Sequence, residues 1–544
     1  MLQISAALNP IENCLPSRAR ARARMSVPTL TTSAPLARFP RLIALALGAM
    51  SAFAFAPAGL WPLMPLAFAV LCELIERAPT LKRALLIGWL FGLGNFTVGL
   101  NWIQFAFTFQ DKMPHWLGYI AVVLVSIYLA VYPALATGLA WRFGKDRPLA
   151  LVLALAGAWG IAEWLRATMF TGFAWNPVGV TLADTPWRGS AAFVGTYGLS
   201  VFVAALGGAV WLLVARRWRP SLVVLVPLAA CAILFFPVTL KVLAPLRPIR
   251  IVQPNIGQQD KWSPGFSDEA ARRMAALTAP GGQRPRLLFW PEAAVTDPLE
   301  DARMDERRAS AAAFERTRAT ALVGPRDILL TGGIALNSSN GRNVTGAANS
   351  VFVLGPWGQI LGRYDKAHLV PYGEYLPMRP LLSALGLSRL APGDVDFDSG
   401  PGPRTIALSG WGEVGFQLCY EIIFSGQVVD RRDRPDFIFN PSNDAWFGSW
   451  GPPQHLAQAR LRAAEEGLPV IRSTPTGISA IIDSGGTVTH ALPWRTAGVI
   501  DANMPIARPP TIFSRFGNII PLMLAFALLI AAIALGTRGR YSAT

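Results

Sequence analysis

The sequence predicts an α-helical transmembrane bundle of about eight helices, with an α/β domain inserted before the last helix. Of the 544 residues, 52% are hydrophobic and only 15% are charged, whereas a soluble protein carries about a quarter charged residues. The apolar residues are concentrated in runs close to the roughly 20 residues that a bilayer core requires. One long stretch lacks such runs and alternates short β-rich segments with helical ones, which is typical of a layered α/β domain.

The first predicted segment is an arm over residues 1–38 that is basic and rich in Pro, Ser and Thr. Four arginines alternate with alanines over residues 18–24. The arm lacks a short apolar region followed by a small-residue cleavage site, which argues against a removable signal peptide. We expect it to be disordered and cytoplasmic.

The membrane bundle is predicted over residues 39–240, and the last helix with a cytoplasmic tail over residues 517–544. Tight-turn residues 57–62 join the first two apolar runs, for which a re-entrant pair is the alternative. The predicted spans are residues 41–58, 61–76, 84–106, 117–141, 148–165, 190–215, 221–240 and 518–536.

Positive charges are concentrated in alternate loops of this bundle. Arg and Lys near membrane helices are retained in the cytoplasm, so these loops predict that both termini lie inside and that residues 241–516 lie outside the cytoplasm. The net charge of +16 is attributed to these anchors and to anionic lipid, because no basic, aromatic-interleaved nucleic-acid motif is present. The basic positions are Arg77, Lys82, Arg83, Arg142, Lys145, Arg147, Arg216, Arg217, Arg219, Arg538 and Arg540.

The inserted domain over residues 241–516 has the pattern of strands alternating with helices. The predicted strands are residues 249–253, 287–290, 328–330, 351–354, 413–418, 437–440, 470–473 and 478–482, and the predicted helices are residues 268–278, 301–322 and 454–466.

Three side chains of this domain have the chemistry of a covalent catalyst. Glu292 follows one apolar strand, Cys419 ends another, and Lys366 lies in the stretch between them. Strand ends are where ligands and catalytic groups gather in α/β sheets. The carboxylate can remove the thiol proton, the thiolate can take an acyl group, and the ammonium with a backbone N–H can hold the oxyanion. Each residue taken alone also fits an ordinary structural role, so only their joint presence favours catalysis.

The cysteines and histidines add little else. Cys14 lies in the arm and Cys72 and Cys231 lie in apolar runs, so no disulfide framework is expected. Without a CxxC motif or a His-rich cluster, we expect no metal site and no cofactor.

The motifs around the three residues resemble those of the nitrilase superfamily. Trp-Pro-Glu292, then Lys366 with the downstream Glu374, then Cys419-Tyr-Glu421 occur in the superfamily's order. The arrangement of this domain between membrane helices is similar to the apolipoprotein N-acyltransferase family, over nearly all of residues 40–540. Further matches are residues 252–256, 261–262, 440–448, 454–462 and 472–474 in the domain, and 163–166 and 171–175 in the bundle.

The resemblance implies a nitrilase-like αββα sandwich and a role for each matching residue. Glu292 would be the general base, Lys366 the oxyanion-stabilising cation and Cys419 the nucleophile. Supporting or substrate-binding roles, for which ordinary packing is the alternative, fall to Trp262, Glu374, Tyr420 and Glu421.

The resemblance also implies the reaction. An acyl chain from a phospholipid, typically phosphatidylethanolamine, would form a thioester on Cys419 and pass to the N-terminal amine of the diacylglyceryl-cysteine of an apolipoprotein. This is the final step of bacterial lipoprotein maturation, and it places the chain in the inner membrane with the catalytic domain on the periplasmic side. Tethering fits two lipid-anchored substrates, since it raises their effective concentration at the site.

Alternatives stay open at this point. A membrane-bound nitrilase-type amidase acting on small C–N substrates, or a non-catalytic membrane scaffold or transporter, is compatible with the same motifs. His455 offers a papain-like partner for Cys419, although the Glu and Lys motifs explain the thiol without it. The apolar residues 376–390 predict either a lid on the membrane surface or a loop packed on its own domain, and Trp446, Phe447 and Trp450 are interpreted in the same way.

Overall fold

The computed structural model describes residues 36, 38–109, 113–236, 247–261, 265–278, 284–384, 386, 388–390 and 396–537. Nearly all of the predicted N-terminal arm lies outside these residues, as do Trp262, Arg538 and Arg540.

Apolar helices build the N-terminal part and the last segment of the described chain. Each of the eight predicted spans overlaps at least one of them. They are α1 (Pro40–Ser51), α2 (Leu63–Glu76), α3 (Leu81–Gly99), α4 (Ile103–Ala106), α5 (Leu117–Leu129), α6 (Val131–Gly144), α7 (Pro148–Thr168), α8 (Ala191–Val214), α9 (Trp218–Leu234) and, at the end, α15 (Ile519–Thr537).

The number of helices that could cross a membrane is smaller than predicted. Within the described ranges, four stretches are long and apolar enough, and the pair α3 and α4, bent by 47°, makes a fifth if it counts as one span. The apolar runs in the sequence do not show where turns divide them into shorter helices. Helix α2, for example, has 14 residues, about 21 Å of rise against a hydrocarbon core of roughly 30 Å. The four stretches are Leu117–Gly144, Pro148–Thr168, Pro186–Val214 and Ile519–Gly536.

The basic loops lie together at one end of this bundle. Trp141 Nε1 donates to the Ala78 carbonyl at 2.8 Å, which joins the loop after α2 to the end of α6. Arg217 lies 4.0 Å from Glu76, which brings in the loop after α8. Arg147 donates to the Leu535 carbonyl near the end of α15. These three loops and the described end of α15 therefore lie at the same end of the bundle.

The inserted domain contains two β-sheets. The first has the order β13-β1-β2-β4-β5-β6 with β3 beside β4, and the second has the order β12-β11-β10-β9-β8-β7. The strands are β1 (Pro248–Gln253), β2 (Leu287–Phe289), β3 (Glu300–Asp301), β4 (Ile328–Asn337), β5 (Gly346–Leu354), β6 (Ile360–Asp365), β7 (Thr405–Leu408), β8 (Gly412–Phe416), β9 (Phe437–Pro441), β10 (Val470–Ser473), β11 (Ala480–Ile482), β12 (Val488–Ala491) and β13 (Gly498–Asn503).

The two sheets pack face to face with helices outside them. The Phe289 ring of β2 lies 4.9 Å from that of Phe439 in β9, and the hydroxyl of Ser473 donates to the Val252 carbonyl at 2.9 Å. Buried apolar residues between the sheets form one core, as expected for a sandwich. The predicted αββα arrangement is therefore confirmed. The helices of the domain are α10 (Phe266–Thr278), α11 (Glu306–Thr320), α12 (Arg379–Ala384), α13 (Gly451–Glu466) and α14 (Ile512–Phe516).

Helix α13 joins the sandwich to the bundle at the end opposite the basic loops. Its Gln454 side chain accepts the Trp175 indole N–H at 2.8 Å. Its Glu465 carboxylate accepts the backbone N–H of Thr196 at 2.6 Å and the Thr196 hydroxyl at 2.8 Å. Both α13 side chains are fully buried. We call these contacts the α13 seam.

Candidate active site

Three strands bring the predicted catalytic residues to one edge of the sandwich. Strand β2 runs parallel to β4, and β5 is antiparallel to both β4 and β6, so β2 and β6 end at the same edge. Glu292 follows β2, and Lys366 directly follows β6. In the facing sheet, β8 ends shortly before Cys419. All three side chains therefore follow the end of a strand, as the sequence predicts.

One amide links the two carboxylates of the site. The Nδ2 of Asn349, in β5, donates to Glu292 at 2.8 Å and to Glu374 at 2.9 Å. Glu374 in turn lies 2.9 Å from Lys366 Nζ through each of its two oxygens. The other Glu292 oxygen is buried and accepts no hydrogen bond from the described residues. That oxygen is available to take a proton.

Lys366 is a buried ammonium held in its charged form. Only 1% of the residue is exposed. Burial by itself lowers the pKa of Lys366, but the carboxylates of Glu374 and Glu292 outweigh it and raise that pKa above its usual range. The two carboxylates therefore favour the charged form of Lys366.

Cys419 begins a short 3₁₀ helix with its backbone in the left-handed region, at φ 53°. This conformation is uncommon for residues with a Cβ and recurs at functional sites. Burial raises the pKa of the Cys419 thiol well above its usual range, and the Glu292 carboxylate raises it further, against the opposing effects of Lys366 and the Asn443 N–H. The resting sulfur is therefore a protonated thiol that needs a base.

Glu421 fixes the backbone on both sides of the site. Its carboxylate accepts the Tyr364 hydroxyl at 2.8 Å and the backbone N–H of Leu418 at 2.7 Å. It also accepts the N–H groups of Ala367 and His368 at 2.8 and 3.0 Å. Tyr364, Ala367 and His368 lie in or just after β6, and Leu418 directly precedes Cys419. Glu421 therefore joins the end of β6 to the turn that carries Cys419.

Tyr420 faces the membrane bundle. Its hydroxyl donates to the Gly172 carbonyl at 3.4 Å, in the loop after α7. Its ring packs edge-on against Phe424 with the centroids 5.2 Å apart. The residue next to Cys419 thus contacts the loop after α7 of the bundle directly.

A second buried ammonium belongs to Lys261. Its Nζ donates to the Glu292 carbonyl oxygen at 3.5 Å. Burial lowers the pKa of Lys261 to about 8, despite the opposing charges of Glu292 and Cys419. The site therefore contains two buried lysines whose pKa values are shifted in opposite directions.

The predicted lid is described in part. Met378, just before α12, and Leu381, within it, are 65% and 57% exposed, and Arg379 pairs with Asp396. An apolar segment thus projects from the rim of the site. Among the described residues, no group of three or more His, Cys, Asp or Glu side chains is placed to hold a metal ion.

Two family models together match most of the chain. The apolipoprotein N-acyltransferase N-terminal domain matches residues 47–209, and the carbon-nitrogen hydrolase domain matches residues 249–508. The apolipoprotein N-acyltransferase of Bradyrhizobium diazoefficiens is 35% identical over 521 residues, which is 90% of this chain and 94% of that protein. The chain belongs to the apolipoprotein N-acyltransferase family.

One further relative and one solved structure are also similar to this chain. The apolipoprotein N-acyltransferase of Rhodopseudomonas palustris is 34% identical over 526 residues, 91% of this chain and 95% of that protein. Among solved structures, Saccharomyces cerevisiae Nit3, a member of branch 10 of the nitrilase superfamily, is 17% identical, covers 52% of this chain and 98% of its own, and has a TM-score of 0.35.

The structure also shows what sequence reasoning missed. Asn349 has no sequence signal, because a lone Asn in an apolar strand has no distinguishing spacing. Lys261 appeared only within a matching motif and was given no role. His455 does not follow the papain-like alternative, since its Nε2 lies 3.1 Å from the Cys419 carbonyl oxygen as its hydrogen-bond partner. The imidazole therefore contacts the backbone of the nucleophile.

Proposed function

We propose that this chain N-acylates apolipoproteins through an acyl-enzyme on Cys419, with a phospholipid as the acyl donor. The observation that carries the proposal is a buried thiol grouped with a carboxylate and an ion-paired buried lysine, in a domain joined to a membrane bundle through the α13 seam. The family membership supports the same activity.

In the first half-reaction, Glu292 takes the thiol proton and Cys419 Sγ attacks the carbonyl carbon of a phospholipid ester. Lys366 Nζ and a backbone N–H stabilise the oxyanion of the tetrahedral intermediate. The C–O bond breaks, Glu292 returns the proton to the leaving glycerol oxygen, and a lysophospholipid departs. The acyl chain remains as a thioester.

In the second half-reaction, the neutral N-terminal amine of the diacylglyceryl-cysteine attacks the thioester. Glu292 accepts a proton from the attacking nitrogen and passes it to the departing sulfur, so an amide forms and the thiol is restored. The acyl chain of the thioester and the diacylglyceryl chains of the acceptor exclude water from the site. Aminolysis of the thioester is therefore favoured over its hydrolysis. No cofactor enters either step.

The proposed donor is phosphatidylethanolamine, and the proposed setting is the bacterial inner membrane with the sandwich on the periplasmic side. The grouping of basic loops at the end of the bundle away from the sandwich supports this orientation, since such loops are retained in the cytoplasm. The predicted inside location of Arg538 and Arg540 falls outside the described residues.

The acyl-enzyme is tested by mass spectrometry of the full chain in detergent after incubation with phosphatidylethanolamine carrying a labelled acyl chain. We expect one acyl adduct on the peptide that contains Cys419, discharged by a diacylglyceryl lipopeptide with a free amine but not by its N-acetylated form. Cys419→Ala should abolish the adduct, and Cys231→Ser, in α9, should retain it. Amide turnover without any acyl adduct would favour a small-substrate hydrolase instead.

The orientation is tested by labelling single cysteines in spheroplasts with a membrane-impermeant maleimide. A cysteine at Ser339, exposed on the sandwich, should be labelled. A cysteine at Thr80, exposed in a basic loop, should react only after the membrane is permeabilised. The opposite pattern would place the sandwich in the cytoplasm.

A further inference from the structure

The Cys419 backbone is contacted by a buried polar network that the proposed mechanism leaves unused. His455, on α13, is 0% exposed and its Nε2 lies 3.1 Å from the Cys419 carbonyl oxygen. Its Nδ1 lies 3.0 Å from Asp444 Oδ1 and 3.0 Å from Arg472 Nη2. Asp444 and Arg472 are also fully buried, and Arg472 donates to both Asp444 oxygens at 2.7 Å.

These contacts determine which imidazole nitrogen carries the proton. The Cys419 carbonyl oxygen can only accept, so Nε2 must donate to it. Burial and the Arg472 charge lower the pKa of His455, although Asp444 opposes them, which favours the neutral ring. In the neutral ring Nδ1 accepts the Arg472 N–H, in the charged ring Nδ1 donates to Asp444, and in both forms Nε2 keeps its proton. Asp444 then balances the Arg472 charge.

The ring cannot reorient within this environment. The Trp175 and Phe447 rings lie 5.3 and 5.7 Å from the imidazole, centroid to centroid. The Asp444 side chain is confined as well, because a Cβ on Gly477 would lie 2.4 Å from its carboxylate. The network is thus a rigid support with one donor directed at the nucleophile's peptide.

Peptide geometry gives this donor a consequence for catalysis. The Cys419 carbonyl and the Tyr420 N–H belong to the same planar trans peptide and point in opposite directions. A hydrogen bond that fixes the carbonyl therefore also fixes the direction of the N–H. It also polarises the peptide, which makes that N–H a stronger donor.

We infer that His455 is a positioning residue that orients the Cys419–Tyr420 peptide, so that the Tyr420 N–H serves with Lys366 in stabilising the oxyanion. The inference rests on the proposed acyl transfer at Cys419. Asp444 and Arg472 support it by holding the imidazole in its Nε2–H form. No proton passes through His455 in either half-reaction.

Two substitutions at one position separate the donor from the bulk of the ring. In His455→Gln, the amide nitrogen can reach the place of Nε2 and donate to the Cys419 carbonyl. In His455→Asn, the shorter amide reaches only the place of Nδ1 and leaves that carbonyl without its donor. His490→Asn, at an exposed position in β12, is the matched control.

Each full-length variant is tested in detergent with labelled phosphatidylethanolamine for the single-turnover rate of thioester formation. Alkylation of Cys419 by iodoacetamide is measured in parallel by peptide mapping, since that displacement forms no oxyanion. We expect His455→Asn to slow thioester formation by about 100-fold, the usual effect of losing one oxyanion donor, and His455→Gln to slow it by less than about tenfold. Alkylation in both variants, and both rates in His490→Asn, should stay within about threefold of the unsubstituted protein.

Three results would overturn the inference. Equal rates of thioester formation in His455→Asn and the unsubstituted protein would show that the donor has no role. Equal losses in the Asn and Gln variants would make the ring's packing responsible. A parallel fall in alkylation would mean that His455 acts on the thiol or on the fold. If the unsubstituted protein forms no thioester while its thiol alkylates normally, the proposed function fails.

Discussion

Replacing Glu374 by Gln tests whether the buried ion pair holds the catalytic cation in place. Glu374 contacts Lys366 Nζ at 2.9 Å through each oxygen, and the same two oxygens accept Asn349 Nδ2 and the Val370 N–H, each at 2.9 Å. An amide removes the charge and turns one acceptor into a donor. That donor then faces either Val370 or Asn349, which are donors themselves.

The magnitude follows from burial. Breaking a buried ion pair by removing one partner costs about 3–5 kcal/mol, and Lys366 is only 1% exposed. Because Gln retains one oxygen, we expect the lower limit, about 3 kcal/mol, which is on the order of a 100-fold loss in population of the correctly placed ammonium. The pKa of Lys366 should fall as well, since burial lowers it and Glu374 is the largest factor that raises it.

The assay is single-turnover thioester formation between pH 6 and pH 10, with a melting curve in the same detergent. Glu374→Gln should form the thioester more slowly, melt at a lower temperature, and lose activity at a lower alkaline pH than the unsubstituted protein. Glu300→Gln is the control, because its pair with Arg363 is partly exposed and contributes little. Unchanged rate, melting temperature and pH profile in Glu374→Gln would refute this account of Lys366.

Three further predictions concern the base, its backbone and the seam. Glu292→Gln should abolish thioester formation but speed alkylation of Cys419 at pH 8, because the carboxylate raises the pKa of the thiol. Slower alkylation would contradict this effect of Glu292 on the thiol's pKa. Gly332→Ala should reduce thioester formation by about 10-fold or more, since a Cβ there lies 2.7 Å from the Glu292 Cα and must displace the base; an unchanged rate would argue against it. Glu465→Gln should lower the melting temperature in detergent, because the carboxylate accepts three neutral donors and pairs with a buried guanidinium; an unchanged temperature would show that the α13 seam is not stabilising.

Much of the sandwich could be predicted because its central strands are buried on both faces. The predicted strand at residues 470–473 coincides with β10, and the one at 437–440 differs from β9 by one residue. The strands that the sequence does not predict are β3, β6, β7, β12 and β13, and all five are partly exposed, so their composition is mixed. A buried strand shows a hydrophobic pattern; an edge strand depends on its hydrogen-bond partner, which the sequence does not reveal.

The site was predictable to the extent that it follows strand ends. Glu292 and Cys419 could be found because each terminates an apolar run. Asn349 could not be found, since its importance comes from the antiparallel pairing that places β5 beside β6. The number of spanning helices was overestimated for a related reason. Apolar composition shows which residues can face lipid or a protein core, but it does not show where turns end each helix.

The α13 seam has a practical consequence for anyone who wishes to study the sandwich by itself. A fragment limited to residues 247–508 would keep both sheets and all three reactive side chains, but it would expose Gln454, Arg462 and Glu465, which are fully buried in the whole chain. Thr196 and Trp175, which donate hydrogen bonds to Glu465 and Gln454, would be absent. Cutting the protein at its apparent domain boundary would therefore uncover the buried polar face of α13. Engineering a soluble sandwich should begin by redesigning that face of α13.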